Sequence, residues 1–416
     1  MSTGPAVRRP SDWDAERLRG LAAEFETPLY VLDPERVREN AARLRDAFPD
    51  AEISYAVKAN TTRPVLSTLR DAGVGAECAS AGELQRALDA GFDDSAVRYT
   101  AVNPPARDLD HVVDLSREHD FVVTVGAEDT LDQLDDRDYD GRLCIRANPG
   151  VGAGHHEKVS TGAAPKFGVP YERVSALAAT AVERGFDLVG LHAHAGSGIS
   201  GDDLSAHREL VVRMAELAER VIADVTTLDF VNVGGGFGVP YHPDEQPLDL
   251  PAVADATREA FGDVDAALGI EPGRYFVADA GILLATVNTV KPTPETTVVG
   301  VDAGMTTLVR PAMYESYHEI RSLEPDAGER DEIAATVAGP ICETSDVLGE
   351  DRPLRDPEAG DLLAVGTAGA YGYEMSSQYN SRPRPAVVAF DGTDARLAVR
   401  RETLGDVTRL EEPWSV

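Results

Sequence analysis

The stretch Ile53-Ser54-Tyr55-Ala56-Val57-Lys58-Ala59-Asn60 joins a short apolar, β-type run to a lysine at its end. Only four of the 39 basic residues of the chain are lysines, so a primary amine is rare in it. At the carboxyl end of a strand the amine would stand in partly dry surroundings, where desolvation favours the neutral form that condenses with an aldehyde. Lys58 is therefore a candidate for covalent chemistry. The alternative is a surface lysine that happens to end a strand.

Similar apolar runs alternate with longer amphipathic stretches on both sides of this one, between residues 28 and 276. The predicted strands are 29–32, 53–57, 74–78, 97–102, 121–125, 143–147, 188–194 and 230–233. Repeated βα units predict a parallel sheet, and roughly eight of them in about 250 residues predict a closed barrel. We therefore expect residues 28–276 to form a (β/α)8 barrel of the TIM type.

The pattern changes after about residue 277, where β-rich runs are separated by Pro and Gly turns. Such runs occur at 282–290, 296–301, 336–340, 362–365 and 385–390. They predict a second, all-β domain, a small barrel or sandwich formed by residues 277–416 together with the N-terminal segment 1–27. The expected fold class is therefore α/β, a (β/α)8 TIM-type barrel plus a C-terminal all-β domain.

The composition limits the partners and the compartment. The net charge is −33, from 72 acidic against 39 basic residues scattered along the chain, and such a surface repels nucleic acid and anionic membranes. Its self-repulsion needs screening by salt, which predicts a halophilic protein. Three cysteines without a CxxC pair fit a reducing compartment, and the chain lacks a run of about 18 apolar residues. We expect a cytoplasmic protein without nucleic-acid or membrane partners.

The segment Asn232-Val233-Gly234-Gly235-Gly236-Phe237-Gly238 places three glycines directly behind an apolar strand. Glycines let backbone amides crowd around an anion. At a late strand of a barrel, this is the position expected for a phosphate group. The alternative is a flexible turn.

Two histidines, His192 and His194, end another predicted strand and share one side of it. This spacing suggests a metal pair, but a third ligand has no obvious source nearby. A flat imidazole packed on a planar cofactor, with Ser197 near its phosphate, fits the segment better. For His192 a satisfied place in the barrel core remains an alternative.

Three later segments also carry reactive groups. Glu271, in Glu271-Pro272-Gly273-Arg274, could keep a pyridine nitrogen protonated or form a surface salt bridge. Cys342 and Glu343 place a thiol beside a carboxylate just after a turn, whereas Cys78 and Cys144 are expected to be inert apolar fillers. The aromatic and hydroxyl residues of 369–380 suit ligand contact or packing under the β domain.

An ordered set of motifs resembles the diaminopimelate decarboxylases, pyridoxal-phosphate enzymes of the alanine-racemase-like fold. The motifs are YAVKAN, LHAHAGSGI, NVGGGFG, EPGR, RPAMY, GPICETSDVL and GAYGYEMSSQYNSRPRP. The resemblance spans residue 25 to the end. It implies an eight-stranded barrel, a C-terminal β domain, pyridoxal 5'-phosphate as cofactor, and a head-to-tail homodimer with active sites at the subunit interface.

The resemblance also implies roles for individual residues. Lys58 would form the Schiff base, His194 would stack on the cofactor, and Glu271 would pair with its pyridinium nitrogen. The implied contacts to the phosphate and the cofactor are Ser197, Gly235, Gly236 and Tyr371. The implied contacts to the substrate are Arg274, Arg310 and Tyr314 at its distal carboxylate, together with Glu343 and Tyr371. Cys342, the general acid, and Glu343 would come from the partner subunit. Residues 148–167, with His155, His156 and Lys166, resemble the family's mobile active-site loop.

Two segments depart from the family. Ala76-Glu77-Cys78-Ala79-Ser80 is closer to the ornithine and arginine decarboxylases, and residues 99–105 lack the usual Gly-Asn pair. The expected reaction is decarboxylation of meso-2,6-diaminopimelate, an amino-acid substrate, to L-lysine and CO2, the last step of lysine biosynthesis. The alternatives are an ornithine-, arginine- or carboxynorspermidine-type decarboxylase of the same fold, or a non-catalytic relative that binds the cofactor. Arg310 discriminates between the substrates, because a diamine-type enzyme needs an acidic group for a distal ammonium.

Overall fold

The computed structural model describes residues 5–152, 164, 166–197, 199 and 203–414. The chain divides into two compact units. The first contains Arg38–Val239 and Gln246–Phe276, and the second contains Gly4–Val37, Pro240–Glu245 and Val277–Val416.

The first unit is built around parallel strands. Numbered along the whole chain, its described strands are β2 (Glu52–Ala56), β3 (Gly75–Cys78), β4 (Val97–Tyr99), β5 (Val122–Val125), β6 (Arg142–Asn148), β7 (Val169–Pro170), β8 (Asp187–His192), β9 (Phe230–Asn232) and β10 (Ala267–Ile270). Eight of them pair in the order β2-β3-β4-β5-β6-β8-β9-β10, and β10 pairs with β2 to close the barrel. Among the described strands, β7 pairs with β6 alone.

Parallel neighbours need crossover connections, and helices provide them. The helices along this part of the chain are α2 (Pro34–Ala47), α3 (Arg63–Asp71), α4 (Ala81–Asp89), α5 (Ala106–Ser116), α6 (Glu128–Asp135), α7 (Val174–Glu183), α8 (Ser205–Asp224), α9 (Leu250–Phe261) and α10 (Arg274–Val277). Each longer helix buries one apolar stripe, as Val65, Leu66 and Leu69 do in α3. Among the helices described, none combines the length and the apolar composition needed to cross a membrane.

The predicted eight-stranded parallel barrel is confirmed, but one predicted member is wrong. Leu29–Leu32 forms β1, which pairs with strands of the second unit and not with the barrel. The eighth barrel strand is β10, Ala-Leu-Gly-Ile, which sequence reasoning missed. A short run containing glycine carries little β propensity, and only closure of the barrel against β2 and β9 selects it.

The second unit is a mixed sheet. Its described strands are β1, β11 (Gly281–Pro292), β12 (Thr297–Val301), β13 (Ile320–Ser322), β14 (Glu332–Ala338), β15 (Val347–Arg355), β16 (Leu362–Val365), β17 (Ala386–Asp391) and β18 (Asp394–Val399). They run in the order β15-β14-β12-β11-β1-β17-β18, while β16 pairs with both β11 and β13. The helices α1 (Ala15–Phe25), α11 (Arg310–Tyr314) and α12 (Leu404–Val407) complete this unit.

β1 belongs to the second unit because its side chains complete that unit's core. It pairs antiparallel with β11 and parallel with β17. Leu29 and Val31 pack in one apolar cluster with Leu284, Val388 and Trp13. A four-residue apolar strand reads the same in either sheet, so the sequence pattern alone did not decide its partner.

Candidate active site

The candidate residues of the first unit gather at the carboxyl ends of barrel strands. Lys58 lies in a single helical turn directly after β2, and His192 is the last residue of β8. The glycines 234–236 follow β9, and Glu271 follows β10. In (β/α)8 barrels this is the end at which active sites are built.

Lys58 forms an ion pair at the barrel rim. Its Nζ lies 2.6 Å from Oε2 of Glu77 in β3, and the two side chains are 40% and 3% exposed. Lys58 was expected to lie in partly dry surroundings. Instead, its side chain is partly exposed, and a buried carboxylate orients its amine. Sequence analysis noted the segment around Glu77 as a departure but gave this residue no role. The signal was an acid inside an otherwise apolar four-residue strand.

The glycine segment leaves no room for side chains. A Cβ on Gly235 would lie 2.4 Å from the carbonyl oxygen of Glu271. Gly236 has a φ of +94°, and a Cβ there would lie 2.6 Å from the carbonyl oxygen of Gly196. Ser197 lies half-buried on the same neighbouring segment as Gly196. The bare backbone at these positions is the kind of cradle that accepts a phosphate group.

His194 is a neutral ring beside this cradle. The backbone N–H of Gly235 donates to its Nδ1 at 3.1 Å, so the ring proton sits on Nε2. Burial lowers the pKa of His194 to about 3, an effect that outweighs the opposing charge of Glu271. The hydrogen bond to Nδ1 and the lowered pKa therefore both indicate an uncharged imidazole, which suits stacking on a flat ring.

Glu271 is held by the other histidine of the pair. Its Oε1 lies 2.8 Å from Nε2 of His192, and both side chains are buried. Burial alone would raise the pKa of Glu271, but His192, followed by Lys58 and His194, holds that pKa below its ordinary value. The other carboxylate oxygen, Oε2, is buried and has no hydrogen-bond partner in the described part of the chain.

Arg146 completes the charges of this end of the barrel and was not among the predicted residues. It lies in β6 in register with His192 and is buried. Burial lowers the pKa of Arg146, while Glu271 and Glu77 act in the opposite direction. An arginine within the apolar run of β6 was the available signal. Arg274, a predicted substrate contact, is also buried and begins α10.

Only part of the predicted loop, residues 148–167, lies within the described residues. His155 and His156 lie outside the described residues. Lys166 is exposed, with its Nζ 5.4 Å from the ring centroid of Phe167. The side chain of Asn148 donates to the carbonyl oxygen of Ala164 at 2.9 Å.

The other predicted site residues lie in the second unit. Arg310 is a fully buried side chain whose Nη2 donates to Ser316 at 3.1 Å. Its guanidinium lies 5.0 Å from the ring centroid of Tyr241. Tyr314 ends α11, one turn after Arg310, and Tyr371 adopts a φ of +56°.

Cys342 and Glu343 are exposed in a loop after β14. The side-chain amide of Asn380 donates to Sγ of Cys342 at 3.1 Å, and the hydroxyl of Tyr379 donates to Glu343. The buried carboxylate of Asp346 accepts the N–H of Ile341 at 2.6 Å and so fixes the start of this loop. Sequence reasoning assigned none of these supporting contacts.

The two remaining thiols contrast with Cys342. Cys78 and Cys144 are buried in barrel strands. Burial raises the pKa of both thiols, that of Cys144 to about 12. They therefore stay protonated at neutral pH, as inert fillers do.

These residues of the first unit fit one kind of cofactor. A lysine amine, a glycine cradle for phosphate, a neutral flat imidazole and an unpaired carboxylate oxygen suit a phosphorylated pyridine aldehyde. Residues 35–278 match the model of the family described as pyridoxal-dependent decarboxylase, pyridoxal binding domain. The fold and the site thus define a pyridoxal-phosphate-dependent decarboxylase.

Similar proteins narrow this class. The chain is 41% identical to diaminopimelate decarboxylase of Methanothermobacter thermautotrophicus over 94% of this chain and 92% of that protein. It is 36% identical to the Streptomyces coelicolor enzyme of the same name, over 99% and 95%. The crystal structure of Helicobacter pylori diaminopimelate decarboxylase complexed with L-lysine matches with a TM-score of 0.88 at 33% identity, covering 95% of this chain and 99% of that one. The chain belongs to the diaminopimelate decarboxylase family.

Proposed function

We propose that this protein decarboxylates meso-2,6-diaminopimelate to L-lysine and carbon dioxide, the last step of lysine biosynthesis. One observation carries the proposal: at one end of the barrel, Lys58, the glycine cradle and the unpaired oxygen of Glu271 lie on successive strand ends. Membership in the diaminopimelate decarboxylase family supports the substrate.

The residues of the first unit bind and orient the cofactor in this proposal. Bound pyridoxal phosphate supplies a ring that takes up the electron pair left behind when carbon dioxide departs. Lys58 would hold the aldehyde carbon through its amine, and the amino group at the D centre of the substrate would take its place. Glu77 orients this amine through the 2.6 Å contact. Gly235, Gly236 and Ser197 would hold the phosphate, and Tyr371 is a further proposed cofactor contact.

Glu271 and His194 adjust the cofactor's electronics. The Oε2 atom of Glu271 would accept from the pyridine N–H and keep that nitrogen protonated, which would make the ring a better electron sink. The low pKa of Glu271 means that the carboxylate is ionised at neutral pH, as this role requires. His194 contributes a neutral stacking face without adding a competing charge.

Cys342 is the proposed proton donor. Its thiol would protonate the carbon that has lost its carboxylate, which becomes a CH2 group, so the L configuration of the product comes from the centre that does not react. The amide of Asn380 lies 3.1 Å from Sγ and can stabilise the thiolate that remains. Glu343, tied to Tyr379, is the proposed neighbour that contacts the substrate.

Two arginines are proposed to select the substrate. Arg274 and Arg310, with Tyr314, bind the distal carboxylate through charge-assisted hydrogen bonds. A monocarboxylate amino acid such as ornithine would offer these guanidinium groups no distal carboxylate, and sites built to bind a polar group reject analogues that lack it by factors of about 10⁴ or more. Arg310 therefore favours diaminopimelate over a diamine-type substrate.

The proposed assembly is a head-to-tail homodimer in which Cys342 and Glu343 enter the active site of the partner subunit. The exposure of both residues, and of Tyr379 at 46%, fits a surface that a second copy covers. We also propose a cytoplasmic location, and the net charge of −33 speaks against nucleic-acid partners. Sedimentation of the purified protein would show the dimer, and a monomer that remains fully active would contradict shared sites.

The charge also leads to a proposal about salt. Screening of the acidic surface should stabilise the protein as ionic strength rises, which fits a halophilic enzyme. Thermal unfolding measured from dilute buffer to concentrated potassium chloride tests this proposal. A melting temperature that does not depend on salt would contradict it.

The function is tested by product analysis. Purified protein, pyridoxal phosphate and meso-diaminopimelate are mixed in concentrated salt, with ornithine in a parallel reaction. We expect lysine and carbon dioxide in equal amounts, and turnover of ornithine lower by about 10⁴-fold. Equal turnover of ornithine would replace this assignment with a diamine-type decarboxylase. Borohydride labelling of Lys58 without turnover of either substrate would identify a non-catalytic relative that binds the cofactor.

A further inference from the structure

His192 is a buried polar residue of the barrel to which the proposed reaction gives no direct contact. It ends β8, and its side chain is only 3% exposed. Its Nε2 faces a carboxylate oxygen, which can only accept, so Nε2 carries the proton and donates to Glu271. The other ring nitrogen, Nδ1, is buried and has no hydrogen-bond partner among the described residues. Among the described residues, the ring therefore forms one hydrogen bond, the one to Glu271.

The backbone of Glu271 is already fixed without His192. Its N–H donates to the carbonyl oxygen of Gly234 at 3.0 Å, and its own carbonyl oxygen packs against Gly235. The carboxylate is three rotatable bonds away from this anchor and would otherwise choose among several rotamers. Within the described part of the chain, the 2.8 Å bond from His192 is the hydrogen bond that determines where the two oxygens point.

The two histidines of this segment form hydrogen bonds of opposite direction, because one ring accepts and the other donates. His194 accepts a hydrogen bond at Nδ1 from Gly235 in the glycine cradle. His192 donates from Nε2 to Glu271, across β9, which lies between β8 and β10. One strand end therefore supports both the phosphate end and the nitrogen end of a pyridine cofactor.

We propose that His192 is a positioning residue that holds Oε1 of Glu271, so that Oε2 is left to accept from the pyridine N–H of the cofactor. This inference rests on the proposed role of Glu271. A buried carboxylate with one free oxygen is costly unless a donor completes it, and the ring nitrogen of pyridoxal phosphate is a donor of the required kind. Without His192 the carboxylate is free to rotate, and the pyridine nitrogen is less firmly protonated.

The test compares two amide side chains of different length at position 192. In His192→Gln the side-chain nitrogen occupies roughly the place of Nε2 and can still donate, whereas in His192→Asn the amide stops short of Glu271. The probe is pyridoxal phosphate labelled with ¹⁵N in its ring, bound to the intact protein, and the readout is the nitrogen chemical shift. We expect a protonated nitrogen in the wild type and in His192→Gln, and a shift toward the unprotonated value in His192→Asn.

The cofactor affinity supplies a second readout. The ratio of affinities for pyridoxal phosphate and for an analogue with carbon in place of the ring nitrogen should fall about 10- to 100-fold in His192→Asn, the range for losing a hydrogen bond to a charged group. In a Glu271→Gln background the same change should add little, because coupled residues are not additive. His207→Asn is the matched control, because His207 is also buried with Nε2 2.7 Å from a side-chain oxygen, that of Thr257 in α9.

The outcomes separate this inference from the proposed function. An unchanged ¹⁵N shift and affinity ratio in His192→Asn, together with changes in Glu271→Gln, would overturn the role of His192 alone. No change in Glu271→Gln would overturn the role of Glu271 as well. Equal effects of His207→Asn and His192→Asn would mean that the loss is one of general stability, which also overturns the inference. If His192→Asn does not fold, failure of His192→Gln to preserve the protonated nitrogen overturns it.

Discussion

The barrel and the mixed sheet hold their candidate residues in different ways. In the barrel, the candidate side chains lie at the ends of strands. Glu271 and His192 are at most 5% exposed and are hydrogen-bonded to each other. In the mixed sheet, Cys342 and Glu343 are exposed on a loop and are tethered by side chains of another loop. The proposed cofactor site thus rests on buried strand ends, whereas the sheet presents exposed groups on a loop. Their chemical contributions should therefore be separable by experiment.

The largest expected effect is on the barrel side. Lys58→Ala removes the amine that holds the cofactor, so carbon dioxide release should fall by more than the roughly 10²- to 10⁴-fold that a proton-transfer group contributes. Rate measurements and borohydride labelling check this expectation. Lys291→Ala, an exposed lysine of β11, is the control and should keep full activity. Labelling at a lysine other than Lys58 would show that the barrel site is misassigned.

The second effect tests the sheet side. Cys342→Ala should lower kcat about 10²- to 10⁴-fold, because it removes the proton donor, while the cofactor stays bound as in the wild type. Measurements of kcat and of the absorbance of the bound cofactor distinguish loss of catalysis from loss of cofactor. Cys144→Ala is the matched control, since that thiol is buried and stays protonated. Loss of cofactor in Cys342→Ala would break the division between a binding barrel and a reacting loop.

Two glycine substitutions test the same difference between the barrel and the mixed sheet. Gly235→Ala places a methyl group 2.4 Å from a backbone oxygen, and Gly339→Ala places one 2.4 Å from the carboxylate of Asp346. Each should cost about 1–3 kcal/mol of unfolding free energy, the range for overpacking. Only Gly235→Ala should also weaken cofactor binding. Denaturant unfolding and cofactor titration measure both, and Gly328→Ala, with open space at its Cβ, should change neither.

The smallest effect concerns the helices around the barrel. Burial lowers the pKa of His207 to about 4, below the value of about 6.5 expected when the chain is unfolded. The folded state then binds fewer protons, so stability is complete above about pH 6.5 and is lost as the pH falls toward 4. The loss at pH 5 should be about 2 kcal/mol.

Unfolding measured from pH 7 to pH 5 in the wild type and in His207→Gln checks this pH dependence. The variant has no titrating group at this position, so its curve should be flatter, although its stability at pH 7 is lower. Parallel curves would show that His207 is not the group responsible. Ionic strength must be equal in all samples, because the acidic surface responds to salt.

The sequence predicted much of the barrel site because its signals are local. A lysine behind a strand, three glycines behind another and a glutamate in a turn are each visible within a few residues. Their partners are not local. The bond between His192 and Glu271 joins residues 79 positions apart, and Lys58 after β2 pairs with Glu77 in the neighbouring strand β3. Local patterns specify residue types and strand ends, but barrel closure decides which ends are neighbours.

The errors have the same physical origin. The strand β1 was assigned to the barrel because four apolar residues fit any buried strand, and only its packing with β11 and β17 selects the second sheet. The strand β10 was missed because its Ala-Leu-Gly-Ile sequence is weakly β-forming by itself. In both cases long-range pairing overrode a weak or ambiguous local preference.

The sequence by itself determined the alternation of β and α segments, the glycine segment behind a strand and the lysine at a strand end, because periodicity and residue chemistry are properties of short stretches. Only the tertiary structure decided that Glu77 pairs with the amine of this lysine, and that His192 donates to one oxygen of Glu271 while the other receives no hydrogen bond from the described residues. Those relations depend on which strands lie side by side when the sheet closes. Burial then removes the water that would otherwise satisfy these groups, so each polar atom must find its partner within the fold or in a ligand.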